Sequence, residues 1–348
     1  MTDAQMDLSA YEALVGKDLE QPEQFRYEVT RDSIRQFAYC IPDGNALYLD
    51  QEYALGTRWR GIIAPPGYLY GHGYSSWLRM FPGLKDSQGR ELESNDNGEE
   101  NWSFYLPVRP GDNVYSRGRI VGVEARKGRR IGEFAMVQTE MLFTNQRAEL
   151  VAKVDAKSFR FNARKVGTEG GMGKAYPPMP PGQTTRNVFA PPEYPGITPP
   201  PAREYHAQRY FEDVKIGDAI AEWELGPLTI LRTGKFNAAT LGRGADQVGA
   251  RQEGAIPDSF ASGPMRTMWF GTMLARWGGP DSFVTRIDQQ NREWVLVGFK
   301  IICSGQVTGK SVKGPRHLVD CSIVCKSELG FVTNIGSAQM ELPSCNPV

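Results

Sequence analysis

Asp43 and Tyr48 are the residues of this chain whose types and spacing best suit acid–base chemistry. Asp43 lies in Pro42-Asp43-Gly44 and can act as a base or hold a water molecule. Tyr48 can donate a proton or orient a water, but its ordinary pKa of about 10 makes it a poor base at neutral pH. Each has a simpler interpretation, because Pro-Asp-Gly is a strong turn signal and a tyrosine beside aliphatic residues is commonly packed.

Three further side chains are candidates for the same chemistry or for ligand binding. His72, one of three histidines, lies in an apolar segment near this loop and can serve as an acid or base, or be a satisfied helix histidine. Asn45 is predicted to brace the loop and to contribute to binding. Arg243, in the polar stretch 242–247, can clamp a phosphate or carboxylate, although a solvated surface loop is the simpler interpretation.

Two other patterns do not support a cofactor or metal site. Residues 305–311 are one residue short of a phosphate-binding loop and lie between strand-like segments. Cys321 and Cys325 are four residues apart on a predicted strand, with no second cysteine or histidine pair nearby. We therefore expect no cofactor and no bound metal.

The elements that must position these residues follow one plan that occurs twice. We predict an N-terminal unit over 1–162, an extended Pro-rich linker over 163–207 and a second unit over 208–348. Each unit is predicted to hold a central helix followed by several antiparallel strands, which is an α+β plan. Two such units would pack as a pseudo-dimer, sheet edge to sheet edge.

Apolar spacing and capping residues give the individual elements. The first unit is predicted to have a helix over 30–41, a second helix from about Gly67 to Met80 and an acidic, polar surface loop over 85–101. Its strands are predicted at 102–108, 114–124, 132–143 and 149–161. In the second unit we predict a short helix from Thr233, and a long one from Pro264 to Trp277 that is apolar on several sides and belongs inside a wrapping sheet.

Composition excludes several classes of protein. Forty basic residues balance forty acidic ones, which argues against a nucleic-acid-binding surface. No apolar run approaches the ~20 residues needed to span a bilayer, so we expect no membrane association. The polar N-terminus lacks a signal pattern, and five dispersed cysteines fit a reduced protein, so we expect a cytoplasmic location.

The stretch from Pro42 to Asp50 resembles the hydratase motif of the MaoC-like dehydratase, or (R)-specific enoyl-CoA hydratase, superfamily. Asp43, Asn45 and Asp50 match that motif, and Tyr48 stands where the family has a histidine. The tyrosine form and the following Ile63-Ala-Pro-Pro resemble the subfamily with a fatty-acid-synthase-like N-terminal dehydratase domain. The stretches Arg109-Pro-Gly-Asp and 210–218 resemble later landmarks of the family.

The resemblance implies a double hot-dog fold in which a helix lies inside each sheet. In the family, an aspartate and a histidine hold one catalytic water, and backbone N–H groups at the central helix N-terminus bind the thioester carbonyl. This assigns substrate binding to Gly67 and Gly263, although each glycine can also simply begin a packed helix. In the second copy, Arg243 stands at the aspartate and Val248 at the histidine, so neither unit has the family's dyad.

Two functions remain open at this point. The first is a hydro-lyase of the enoyl-CoA hydratase or acyl dehydratase type, acting on an acyl thioester or related conjugated substrate. Its non-standard acid–base set would be Asp43 with Tyr48 or His72. The alternative is a non-catalytic hot-dog subunit that binds acyl chains, or that pairs with a separate MaoC-like subunit supplying the dyad. We expect either a homodimer or such a hetero-oligomer.

Overall fold

One antiparallel sheet of nine strands runs through the part of the chain that the computed structural model describes, which is 6–19, 24, 26–41, 43–74, 81–128, 131–162, 201–240 and 260–346. The strands are β1 (Ser94–Phe104), β2 (Tyr115–Gly128), β3 (Gly132–Thr144), β4 (Leu150–Phe161), β5 (Ala219–Leu225), β6 (Phe283–Asn291), β7 (Ile301–Lys313), β8 (Arg316–Ser327) and β9 (Val332–Glu341). Their order across the sheet is β2-β3-β4-β1-β6-β9-β8-β7-β5.

The two units join where β1 pairs with β6. This ladder runs from Glu99 opposite Gln290 to Ser103 opposite Arg286. Strands β1–β4 therefore form the sheet of the first unit and β5–β9 that of the second. The predicted α+β pseudo-dimer, with its two sheets joined edge to edge, is confirmed.

The helices of the described residues are α1 (Ser9–Glu12), α2 (Arg31–Cys40), α3 (Ala46–Leu49), α4 (Gln51–Leu55), α5 (Ile230–Thr240) and α6 (Gly263–Gly278). Thr30 caps α2 by accepting from the Ser33 N–H, and the Ser33 side chain returns a bond to the Thr30 backbone. The predicted helix over 30–41 is thus confirmed.

Helix α6 is the core element of the second unit. Pro264 stands in its first turn, where a missing N–H costs nothing, and thirteen of its sixteen residues are buried. It contacts β6, β5, β7 and β9 of its own unit and β1 of the first. The predicted long apolar helix inside a wrapping sheet is therefore confirmed. In the described part of the chain, no helix combines the length and apolarity that crossing a membrane requires.

The predicted helix beginning at Gly67 is wrong at its start, although Tyr74 within its predicted range is helical. Tyr68–Gly71 form a short 3-10 helix instead, and Gly67 before it has a φ of 87°. A Cβ atom on Gly67 would lie 2.4 Å from the Met268 Cγ of α6, so glycine is required by both backbone conformation and packing. Residues 75–80, in the second half of the predicted helix, lie outside the described residues.

The predicted surface loop over 85–101 is also wrong, because Ser94 to Asn101 belong to the central strand β1. Alternate residues of this strand, Gly98, Glu100 and Trp102, are buried and face the core. An acidic, glycine-containing stretch hides this period-2 pattern from analysis based on hydrophobicity alone.

Candidate active site

Asp43 lies between α2 and α3 and is completely buried. Its backbone N–H donates to the Ala38 carbonyl at 3.3 Å, and its Oδ1 accepts from the Asn45 N–H at 3.1 Å. Its Oδ2 has no hydrogen-bond partner among the described residues, although it is out of contact with solvent. One carboxyl oxygen of Asp43 is therefore used by the local Asn45 N–H, and the other is left as an unused acceptor among the described residues.

Burial controls the charge of this carboxyl group. It raises the pKa of Asp43 from 3.8 to about 7, against the smaller opposing effects of the Asn45 N–H bond and the Arg276 guanidinium. The Glu204 carboxylate adds a further small increase in that pKa. A carboxyl group with a pKa near neutrality can both accept and return a proton, which is the property required of a general acid–base.

The other two acidic or amide residues of the motif act as helix caps. Asn45 Oδ1 accepts from the Leu47 N–H at 3.0 Å and begins α3. Asp50 Oδ1 accepts from the Glu52 and Tyr53 N–H groups and begins α4. The three matching positions therefore have different roles, and among them Asp43 alone is both ionisable and buried.

Tyr48 lies one turn further on, in α3, and is 2% exposed. Burial, together with the nearby Asp43 carboxyl, raises the pKa of Tyr48 well above its ordinary value. The phenol is therefore neutral at physiological pH and can donate a hydrogen bond but cannot act as a base.

Tyr48, Asn45 and Gly67 line one apolar cavity of about 50 Å³ between the two units. The second unit contributes Ala275 of α6 and the start of β6 to its wall. The remaining lining residues are Leu47, Ile63, Ala64, Pro65, Pro66, Tyr68, Leu69, Phe104, Leu106, Pro107, Val108, Gly279, Ser282, Phe283 and Val284. A mostly apolar wall with few polar groups suits an apolar part of a ligand.

Asp43, His72 and Gly263 are not among the residues that line this cavity. His72 is fully buried and packs on Tyr68 with ring centroids 5.1 Å apart. Burial and the Arg26 charge lower the pKa of His72 to about 3, so it is neutral. Gly263 begins α6, thirteen residues or roughly 20 Å of helix from Arg276 at the opposite end. Arg243 lies outside the described residues.

A second buried carboxyl group, Glu100, was missed by sequence reasoning. Its Oε1 accepts from Tyr74 at 2.5 Å and Asn97 at 2.9 Å, and its Oε2 accepts from Tyr70 and from Thr267 at 2.6 Å. Burial raises the pKa of Glu100, although its hydrogen-bond donors oppose the effect. Because both oxygens are already used, this group fastens β1 to α6 and is not available for reaction.

Sequence reasoning also missed the charged residues around Asp43. Arg276, in the last turn of α6, has its Nη1 3.9 Å from Asp43 Oδ1 and its Nη2 2.5 Å from Glu204 Oε2. His206 Nε2 lies 3.7 Å from the same Glu204 oxygen. The two arginines on this largely apolar helix, Arg266 and Arg276, were the available signal, since a long buried helix rarely carries a charge without a partner.

Comparison with known proteins shows which family this chain is similar to. Residues 13–154 match the model of the FAS1-like dehydratase domain region. A UPF0336 protein from Thermobifida fusca is 30% identical over 159 residues, which cover 41% of this chain and 94% of that protein. A solved structure described as a MaoC-like dehydratase superposes with a TM-score of 0.70 and 18% identity, covering 96% of this chain and all of the other. The chain belongs to the family of this UPF0336 protein, and its residues 13–154 form a FAS1-like dehydratase domain region.

Two further comparisons concern the fold and the relatives of this chain. A Mycobacterium tuberculosis protein with a double hot-dog fold superposes with a TM-score of 0.58 and 11% identity, over 93% of this chain and 96% of that one. A probable enoyl-CoA hydratase alpha subunit from Thermomonospora curvata is 24% identical over 179 residues, or 49% of this chain. The match spans only 56% of that relative's length. The predicted fatty-acid-synthase-like dehydratase domain in the first unit and the predicted double hot-dog fold are confirmed.

Proposed function

We propose that this chain is a hydro-lyase that adds water to, or removes it from, an acyl thioester, with Asp43 as the acid–base group. The observation that carries the proposal is the placement of Asp43, buried next to the cavity residues Asn45 and Tyr48 with one carboxyl oxygen unpartnered among the described residues. The family membership and the name of the T. curvata relative support the substrate class.

The reaction requires one proton to move twice. In hydration, ionised Asp43 takes a proton from water as the water oxygen bonds to the β-carbon of the enoyl thioester. The resulting carboxylic acid then gives that proton to the α-carbon, which restores the carboxylate and completes the addition of one water. A pKa of about 7 suits both steps, because neither protonation state is strongly disfavoured.

Tyr48 is assigned the donor role in this scheme. Its neutral phenol can donate a hydrogen bond to the thioester oxygen as negative charge develops there, or to the reacting water. The backbone at Gly67 lines the same cavity and is the second candidate for contact with that oxygen.

The proposal is tested by incubating the purified full chain with trans-2-enoyl-CoA substrates of increasing length and following the loss of absorbance of the conjugated enoyl group. We expect turnover of at least one chain length, and Tyr48→Phe should lower kcat more than the exposed control Tyr205→Phe. Absence of turnover with every enoyl thioester would overturn the proposal that this chain is catalytic by itself.

A second candidate function has its own support. The tyrosine at position 48 replaces the family's histidine, and the T. curvata relative is named as one subunit of a hydratase. In this alternative, the chain is a hot-dog subunit that binds the acyl chain beside a separate MaoC-like subunit carrying the dyad. It predicts that the purified chain binds a saturated acyl-CoA but turns over no enoyl-CoA until such a subunit is added.

A further inference from the structure

Two charged residues from outside the loop, Arg276 and Glu204, act on Asp43, and a third residue, His206, lies next to Glu204. Arg276 comes from the last turn of α6 in the second unit, and Glu204 and His206 come from the segment 201–207 that precedes it. Tyr48 is the remaining titratable residue whose interaction with Asp43 shifts a pKa. The carboxyl group of the first unit is therefore surrounded by groups that a first unit on its own would lack.

Backbone hydrogen bonds fix the segment 201–207 against the Asp43 loop. The Glu204 N–H donates to the Gly44 carbonyl at 2.8 Å, and the Glu204 carbonyl accepts from the Ala46 N–H at 2.8 Å. A Cβ atom on Gly44 would lie 1.9 Å from the Ala202 carbonyl oxygen, so the segment 201–207 and the Asp43 loop approach each other as closely as glycine allows. Glu204 is thus held at a set position relative to Asp43.

Glu204 in turn orients the Arg276 guanidinium. The ion pair between Glu204 Oε2 and Arg276 Nη2 is 2.5 Å long, and the guanidinium also lies 5.6 Å from the centre of the Trp223 ring. Arg276 Nη1 is buried at 3.9 Å from Asp43 Oδ1, beyond hydrogen-bond distance, and has no hydrogen-bond partner among the described residues. One nitrogen of the guanidinium is therefore fixed, and the other is free to act on Asp43.

We propose that Arg276 and Glu204 are positioning residues that act as a pair on Asp43 across the boundary between the two units. The guanidinium favours the carboxylate form that accepts the proton, and Glu204 both aims the guanidinium and offsets part of its charge. The pair lets Asp43 ionise for the first step without holding it in a permanent ion pair, which would prevent it from returning the proton.

The two members of the pair act on Asp43 with opposite sign. The Arg276 charge lowers the pKa of Asp43 and the Glu204 charge raises it. Burial lowers the pKa of His206, and the Arg276 charge lowers it further, so the His206 ring is neutral at physiological pH. Opposite responses to loss of Arg276 and of Glu204 are a result that a merely structural ion pair would not give.

The inference deepens the proposed function and rests on it, so the first measurement uses no substrate. The unfolding free energy of the full chain is measured against pH for wild type, Arg276→Gln and Glu204→Gln, each with and without Asp43→Asn, and the difference within each pair isolates the titration of Asp43. We expect Arg276→Gln to raise the pH at which Asp43 titrates and Glu204→Gln to lower it, each by about one pH unit. A neighbouring charge shifts the pKa of a carboxyl group by about 1–3 units, and the expected value is the lower end of that range.

The pH dependence of kcat is the second measurement. It should shift in the same two directions, Arg276→Lys should restore most of the wild-type profile, and Arg203→Gln, an exposed charge on the same segment, should leave it unchanged. Shifts in the same direction for both variants, or no shift in either, would overturn the inference. If Arg276→Gln does not fold, the predicted lowering of the Asp43 titration pH in Glu204→Gln tests the inference by itself. If no enoyl thioester is turned over, the proposed function fails while the substrate-free titration still decides on the pair.

Discussion

Asp43→Asn removes a carboxyl group that burial keeps protonated, so the pH dependence of stability reports directly on this site. Burial raises the pKa of Asp43 from 3.8 to about 7, and the folded chain therefore keeps a proton that the unfolded chain has already released. This contribution to stability is fully present below about pH 4 and is lost as the pH rises through about 7. With about 1.36 kcal/mol per pKa unit, the unfolding free energy of the wild type should fall by roughly 2.6 kcal/mol more than that of the variant between pH 5 and pH 8.

Urea unfolding, followed by tryptophan fluorescence at intervals from pH 5 to pH 8, measures this difference. Asp50→Asn is the matched control, because Asp50 is a partly exposed helix cap whose pKa is lowered by the Tyr53 N–H, and asparagine caps helices equally well. The Asp50→Asn profile should run parallel to that of the wild type. A parallel profile for Asp43→Asn would refute the reasoning, since it would mean that Asp43 is ionised in the folded chain throughout this range.

Two further predictions concern the contacts that hold the units together. Glu100→Gln replaces one accepting carboxyl oxygen by an amide N–H₂ that faces four donors. We therefore expect the variant to lose about 1–3 kcal/mol of unfolding free energy. The control Glu99→Gln, on the other face of β1, should change the unfolding free energy by less than about 1 kcal/mol. Equal losses in both would contradict this role of Glu100. Gly271→Ala places a Cβ 2.7 Å from the Pro66 Cβ and should cost about 1–3 kcal/mol, while Gly234→Ala, with nothing within 4 Å, should stabilise α5 by about 0.5–1 kcal/mol. Thermal melting of the Gly271→Ala and Gly234→Ala variants measures whether the first is destabilised and the second stabilised. A stabilised Gly271→Ala variant would show that the two units are packed less closely than described.

The fold was largely predictable because its long elements have regular patterns. The helix at Arg31–Cys40 has a capping residue and apolar spacing, and the helix at Gly263–Gly278 has a proline in its first turn and many apolar residues. Strands β2–β4 have alternating side chains and clear turns. The end of β1, Trp102–Phe104, falls within a predicted strand. The preceding part, Ser94–Asn101, was not predictable by the same means, because its core face carries Gly98 and Glu100. Glu100 is stable there only because donors from distant parts of the chain surround it, and sequence spacing does not show such donors.

The candidate site was predictable only in part. Asp43 and Tyr48 stand out through residue type and motif, and the structure places both in one buried region beside the cavity. Arg276 and Glu204 lie more than 150 positions later in the chain and reach Asp43 through the packing of the second unit. The pKa of Asp43 depends on that packing, so no local pattern could have predicted it.

Single-turnover and steady-state kinetics of Asp43→Asn and Asp50→Asn, side by side with the wild type, test the central claim most directly. The account predicts that Asp43→Asn lowers kcat on an enoyl-CoA by about 10²–10⁴-fold, while binding of the saturated acyl-CoA of the same length and the activity of Asp50→Asn stay close to wild type. An Asp43→Asn chain that is folded, binds the saturated analogue and retains wild-type turnover would contradict the assignment of Asp43 as the acid–base group.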